Sequence, residues 1–204
     1  MKKPLVLISA VAVSSALRAA QFQPAAGGYL DVAENWNGTG TMAIKKAHTG
    51  PLTISTTPAS MPEGSTSLSF REAANVCDFG AGNELALGSV PLYVEQGGAM
   101  TLKSGKITGS VFVQDTSAGT SDQLPGTLIL DGPDVLIEPT EFAIRCYKAT
   151  ASAKTNRLEV TNGAALDVRA DVQHVRRLQC GNRVVYGSRL LASGGEPCHG
   201  CESR

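Results

Sequence analysis

The sequence predicts an all-β fold, a right-handed parallel β-helix of about four coils behind an N-terminal signal peptide. The first observation is the stretch Pro91–Asp115, PLYVEQGGAMTLKSGKITGSVFVQD. Leu92 and Val94 alternate with polar neighbours before the Gly97-Gly98 turn. Met100 and Leu102 alternate before the Ser104-Gly105 turn, and Val111 and Val113 close the set. Apolar residues at period two, bounded by glycine, mark strands with one buried face. The second observation is recurrence. Leu92-Tyr93-Val94 with Ala99-Met100-Thr101-Leu102 is matched, 66 residues on, by Leu158-Glu159-Val160 with Ala165-Leu166-Asp167-Val168. The third is composition: 22 glycines and few aromatics in 204 residues suit stacked short strands and suit a helical bundle badly.

Met1-Lys2-Lys3, the apolar run Leu5–Val13 and the small residues Ser14-Ser15-Ala16 have the three parts of a secretory signal peptide over residues 1–16. The run is too short for a membrane span, and no later run approaches one. Cleavage after Ala16 fits best, with Ala19 and Ala20 as alternatives.

Residues 27–67 are expected to hold an N-terminal cap and the first strands. The first coil of a solenoid has an open face that would otherwise expose core and unpaired edge. Trp36, the one tryptophan, lies here beside Asn and Gly turns. Leu52–Ser55 reads as a strand after the Gly50-Pro51 turn, and Pro58 and Pro62 interrupt the chain.

Residues 68–170 form the repeats. Units start at Leu68, Leu92, Leu128 and Leu158, with spacings of 24, 36 and 30 residues. The polar stretch Thr116–Gly126 accounts for the longest spacing. Leu85-Ala86-Leu87, Val111–Val113 and Glu141–Cys146 are expected as third strands of their units. Stacking the units in this order predicts a row of alternating charge, Lys103, Glu138 and Arg169. Opposite charges on neighbouring strands are worth roughly 0.2–1 kcal/mol per pair.

Residues 171–204 depart from this pattern. Clean alternation stops after Val168, the basic residues beyond Val175 are all arginine, and Cys180, Cys198 and Cys201 cluster here. The tail is expected to be a non-native continuation, as from a frame-shifted or truncated reading frame; an ordinary divergent C-terminal segment is the alternative.

Asp31, Asn35, Trp36 and Gly38 make up a D…NW.G opening. It resembles the start of secreted β-strand-repeat proteins of the autotransporter-passenger type. That resemblance implies export across an inner membrane and display or release at the surface of a Gram-negative-type bacterium. In that family the C-terminal barrel or anchor lies far downstream, so the chain is read as an N-terminal fragment.

Function follows at a coarser level. The formal net charge is zero, which argues against a nucleic-acid partner. The leading expectation is a structural, adhesin-like surface module, not an enzyme, with no cofactor or metal. Its partner would be surface polysaccharide or another cell-surface protein. The alternatives are a polysaccharide-active β-helix enzyme and a carbohydrate-binding module. An enzyme would use carboxylates on one groove, with Asp131 and Asp134 of DGPD, Asp78 and Asp115 as candidates. The same residues suit turns, because Asp and Gly tolerate tight backbone and Pro fixes φ. A binding module would need exposed aromatics in a row, and Tyr93 and Phe112 are too few; sugar stacking on Trp36 is the other option. Cys198-His199-Gly200-Cys201 supplies half a metal site at most. His48, His174 and His199 are isolated in sequence, and Cys77 and Cys146 read as small core residues.

Overall fold

The computed structural model describes residues 19–115, 124–145 and 156–168, with the backbone of two short strands at 183–186 and 190–192. The chain winds into a parallel β-solenoid of about five turns with three strand faces. The first coil holds β1 (Ala20–Gln21) and β2 (Gly28–Tyr29). The second holds β3 (Gly40–Ile44), β4 (Leu52–Thr53) and a single bridge at Ala59. The third holds β5 (Ser65–Phe70), β6 (Ala74–Asp78) and β7 (Glu84–Ala86). The fourth opens with β8 (Leu92–Val94) and continues into β9 (Ala99–Gln114), whose end lies on the first face of the fifth coil. β10 (Thr127–Asp131) and β11 (Val135–Arg145) repeat that path one coil higher. Above them come β12 (Arg157–Thr161), β13 (Ala165–Val168), β14 (Arg183–Tyr186) and β15 (Leu190–Ala192).

Register makes the core. On the first face Ala20, Met42, Leu68, Leu92, Val111 and Phe142 lie one above another. On the second face Leu52, Cys77, Leu102, Leu130 and Val160 do the same. On the third, Ala59, Leu85, Ile107, Ile137 and Leu166 complete the triangle. All of these residues belong to one buried hydrophobic cluster. Fully burying a leucine or valine side chain stabilises by about 1.5–3 kcal/mol, so these rows drive the winding.

The expected β-solenoid is present, with about five turns, one of which (β3, β4, Ala59) lies in the segment expected to hold the cap and first strands. The repeat phase differs from the expectation. Leu68 stacks on Leu92 and Leu128 on Leu158 as expected, but Leu128 stacks on Met100, whereas Leu92 stacks on Val111. The 66-residue match therefore compares the first face with the second. Val111–Val113 and Phe142–Ile144 are not third strands; they open the next coil.

The cause lies in β9. This 16-residue strand rounds two corners, at Gly105 and Gly109, without an intervening loop. Both glycines have positive φ, +93° and +113°. A Cβ there would approach Phe79 and Leu87 to 2.7 and 2.8 Å. Left-handed backbone and close approach both select glycine. The coil from first face to first face thus takes 19 residues at this level, as between Glu95 and Gln114, against 24 between Arg71 and Glu95 one coil lower. Thr116–Gly126 is then an insertion between the first and second faces of one coil, not between units.

Cys77 is fully buried on the second face. Burial, and after it the charge of neighbouring Asp78, pushes its thiol pKa well up. Reaction needs the thiolate. Cys77 is therefore expected to resist a thiol-specific reagent in the native protein and to react on unfolding, which denaturant-dependent labelling followed by peptide mapping reads directly. Labelling of native Cys77 at the unfolded-state rate would contradict the stacking.

Candidate functional site

The polar side chains gather at the corner between the second and third faces. Each strand of the second face ends where its last inward residue is followed by a polar one, and successive coils place these residues side by side. Asp31, in the first coil, accepts from Ser55 N at 2.8 and 3.1 Å and from Ser55 Oγ at 2.6 Å. Asp78, in the third, accepts from Ser104 Oγ and from Gly80 N at 3.3 Å. Asp131, in the fifth, accepts from Lys103 Nζ, Asn162 Nδ2 and Thr161 Oγ1. An aspartate therefore stands on alternate coils, about 9–10 Å apart at twice the strand spacing. Side-chain donors reach each of them from a neighbouring coil.

The Asp131 carboxyl is held below the ordinary aspartate range. The Lys103 hydrogen bond is the largest cause and the Asn162 bond the next; desolvation opposes them, and the Lys103 charge and Thr161 add to them. A folded pKa below the unfolded value of about 3.9 gives a contribution that is complete above that value. It is lost as pH falls through the folded value. Wild type is thus expected to melt above Asp131→Asn at neutral pH, with the two melting temperatures converging in acid. A gap that widens on acidification would refute this assignment.

Asp134, the partner carboxylate proposed from DGPD, is exposed, and its backbone carbonyl accepts from Gly105 N at 3.0 Å. Asp115 is buried at the end of the first face. Asp131 and Asp134 thus share the turn between β10 and β11, Asp78 stands at the same corner two coils lower, and Asp115 lies at the end of another face. His48 lies near the first coil and is taken up below. Cys146, Arg169, His174, Cys198, His199 and Cys201 lie outside the described residues. No group of three or more His, Cys, Asp or Glu that could hold a metal occurs among the described residues.

The expected row Lys103, Glu138, Arg169 does not form as written. Lys103 ends the second face beside Asp131, whereas Glu138 lies on the third face. The row that does form is Glu84, Lys106, Glu138, with Lys106 Nζ 3.8 Å from Glu84 and 2.7 Å from Glu138. Alternating charge up one face is present, one face away from where the slipped phase put it.

At the first coil, Trp36 is 6% exposed, and its Nε1–H donates to Leu30 O at 3.0 Å. Its ring meets Phe22 edge-on at 5.0 Å. Asn35 Nδ2 donates to Tyr29 O at 2.8 Å, and Asn35 O accepts from Gln23 N at 2.9 Å. Asn37 bonds Gln21 through both its amide N–H and its Oδ1. Residues 35–37 thus run antiparallel along the edge of β1 opposite β3. Gly38 follows on an exposed bend. A buried indole offers no free face for a sugar ring to stack on.

One polar cluster escaped the sequence reading. Arg71 Nε and Nη2 reach Glu95 Oε1 at 2.8 and 2.5 Å, and Gln114 Nε2 donates to Glu95 Oε2 at 2.7 Å. Glu95 is only 3% exposed, and these hydrogen bonds replace the water that its carboxylate loses on burial. Beside it Tyr93 stacks on Phe112 at 5.2 Å, and the Arg145 guanidinium lies 3.9 Å from the Phe112 centroid. The two aromatics face each other rather than solvent.

No protein-family model matches this sequence, and no curated protein or solved structure matches it.

Proposed function

We propose that this chain is an exported structural module, an adhesin-like β-solenoid of the autotransporter-passenger type. It would be displayed at or released from the surface of a Gram-negative-type bacterium, and would have no catalytic activity of its own. The observation that carries the reading is the use of polar side chains. Asp31, Asp78 and Asp131, and the Glu84–Lys106–Glu138 row, bond from one coil to the next and hold the coils in register. Such a body is a short rigid rod, suited to carrying a contact surface away from a membrane. Surface polysaccharide or another cell-surface protein is the expected partner class. No helix among the described residues is long and apolar enough to cross a membrane.

The N-terminal residues support export, and cleavage after Ala16 leaves β1, with its buried Ala20, whole. The test is expression of the full chain with its own N-terminus in a Gram-negative host, followed by fractionation and N-terminal sequencing. Export with processing after Ala16 is expected. An uncleaved chain retained in the cytoplasm would overturn the reading. So would turnover of an acidic polysaccharide that is lost in Asp131→Asn.

A further inference from the structure

Three coils meet at His48. It lies in the loop between β3 and β4, and its Nδ1 is 2.7 Å from Pro24 O in the first coil. A carbonyl can only accept, so Nδ1 carries the proton, and in an imidazole with its one N–H at Nδ1 the Nε2 atom is an acceptor. The backbone N–H of His48 donates to Asn75 Oδ1, in the third coil, at 3.1 Å. That bond fixes the Asn75 amide, because the flipped rotamer would set N–H against N–H. Asn75 Nδ2 is then the outward donor. Asn75 is 4% exposed, and the ring of Phe22 closes on the His48 ring at 5.2 Å.

Among the described residues neither His48 Nε2 nor Asn75 Nδ2 has a hydrogen-bond partner, and both atoms are buried. One is an acceptor and the other a donor, in residues already joined by a hydrogen bond. A buried group left unsatisfied costs about 1–3 kcal/mol, and two in one joint would be expensive for a short solenoid. A cation there would meet the Asn75 N–H, and an anion would meet the His48 lone pair. A neutral molecule that accepts once and donates once satisfies both.

We propose that one ordered water molecule is a built-in part of this joint, accepting from Asn75 Nδ2–H and donating to His48 Nε2. It would link the His48 loop of the second coil to β6 of the third, while Nδ1–H holds the first coil. Buried waters of this kind typically satisfy groups that protein atoms cannot reach.

Two measurements on the intact chain test this. A crystal structure with ordered solvent is expected to show one peak within about 2.7–3.2 Å of both atoms. A protein atom bonded to either group, or no peak between them, would overturn the assignment. Nitrogen-detected NMR is expected to report the Nδ1–H tautomer of His48, with magnetisation transfer from water to the Asn75 amide protons. Finding the Nε2–H tautomer, or no transfer, would overturn it independently of any variant's stability.

Discussion

Gly126→Ala is expected to prevent stable folding or to lower stability by on the order of 3 kcal/mol or more, beyond the usual range of surface substitutions. A Cβ on Gly126 would lie 1.9 Å from Val94 O and 2.6 Å from Val94 C in the coil below. Both obstacles are backbone, so no side-chain rotation relieves the contact. The same residue is fastened from above. Its N–H donates to Asn156 Oδ1 at 2.9 Å, and its carbonyl accepts from Arg157 N at 2.9 Å. Relief would mean spreading the fourth and fifth coils and breaking those bonds. Gly98, one coil lower at the same corner, is in the same position, since a Cβ there would lie 2.1 Å from Phe70 O. Gly38→Ala is the matched control, since its Cβ would meet only Ala20 Cβ at 3.8 Å. That change is expected within about 0.5 kcal/mol of wild type. Denaturant melts of the two variants decide the matter, and a Gly126→Ala midpoint equal to that of Gly38→Ala would show that the coils are not packed this closely.

The strands were legible because each face alternates at period two, and Leu68 and Leu92 even revealed their register. Phase was not legible across β9. All three faces present the same apolar-polar-apolar pattern, so nothing in Leu92-Tyr93-Val94 distinguishes a first-face strand from the second-face Leu158-Glu159-Val160. The corner at Gly109 carries no turn-rich loop to mark it. Once the phase slipped, the charge row was sought at Lys103 rather than Lys106. Side-chain partners were less legible still. Asp131 has an ordinary turn composition, and its donors lie 28 to 31 residues away at Lys103, Thr161 and Asn162. The Arg71–Glu95 pair did leave a signal. Extending the Leu68-to-Leu92 alignment three positions places a cation against a carboxylate at the same 24-residue offset.

Trp36→Ala is expected to cost about 3–5 kcal/mol locally, the range for truncating a large buried aromatic. Trp36 fills the space beneath the first coil against Phe22 and satisfies Leu30 O. Trp36→Phe should keep most of the apolar contact and forfeit the Nε1–H bond, leaving a buried carbonyl unpaired at about 1–3 kcal/mol. The location of the loss matters more than its size. In a solenoid each coil contacts only its neighbours, so stability is close to a sum of coil and interface contributions. A true end cap should therefore fail from the end. Amide exchange is expected to quicken through β1, β2 and β3 in Trp36→Ala, while β9 to β12 stay protected. With residues 35–37 loosened, the edge of β1 opposite β3 becomes available for pairing. Concentration-dependent association, absent in wild type, should then appear in sedimentation. Uniform loss of protection along the whole chain, with no change in association, would instead make Trp36 an ordinary core residue of one cooperative unit, and the D…NW.G segment would have no capping role.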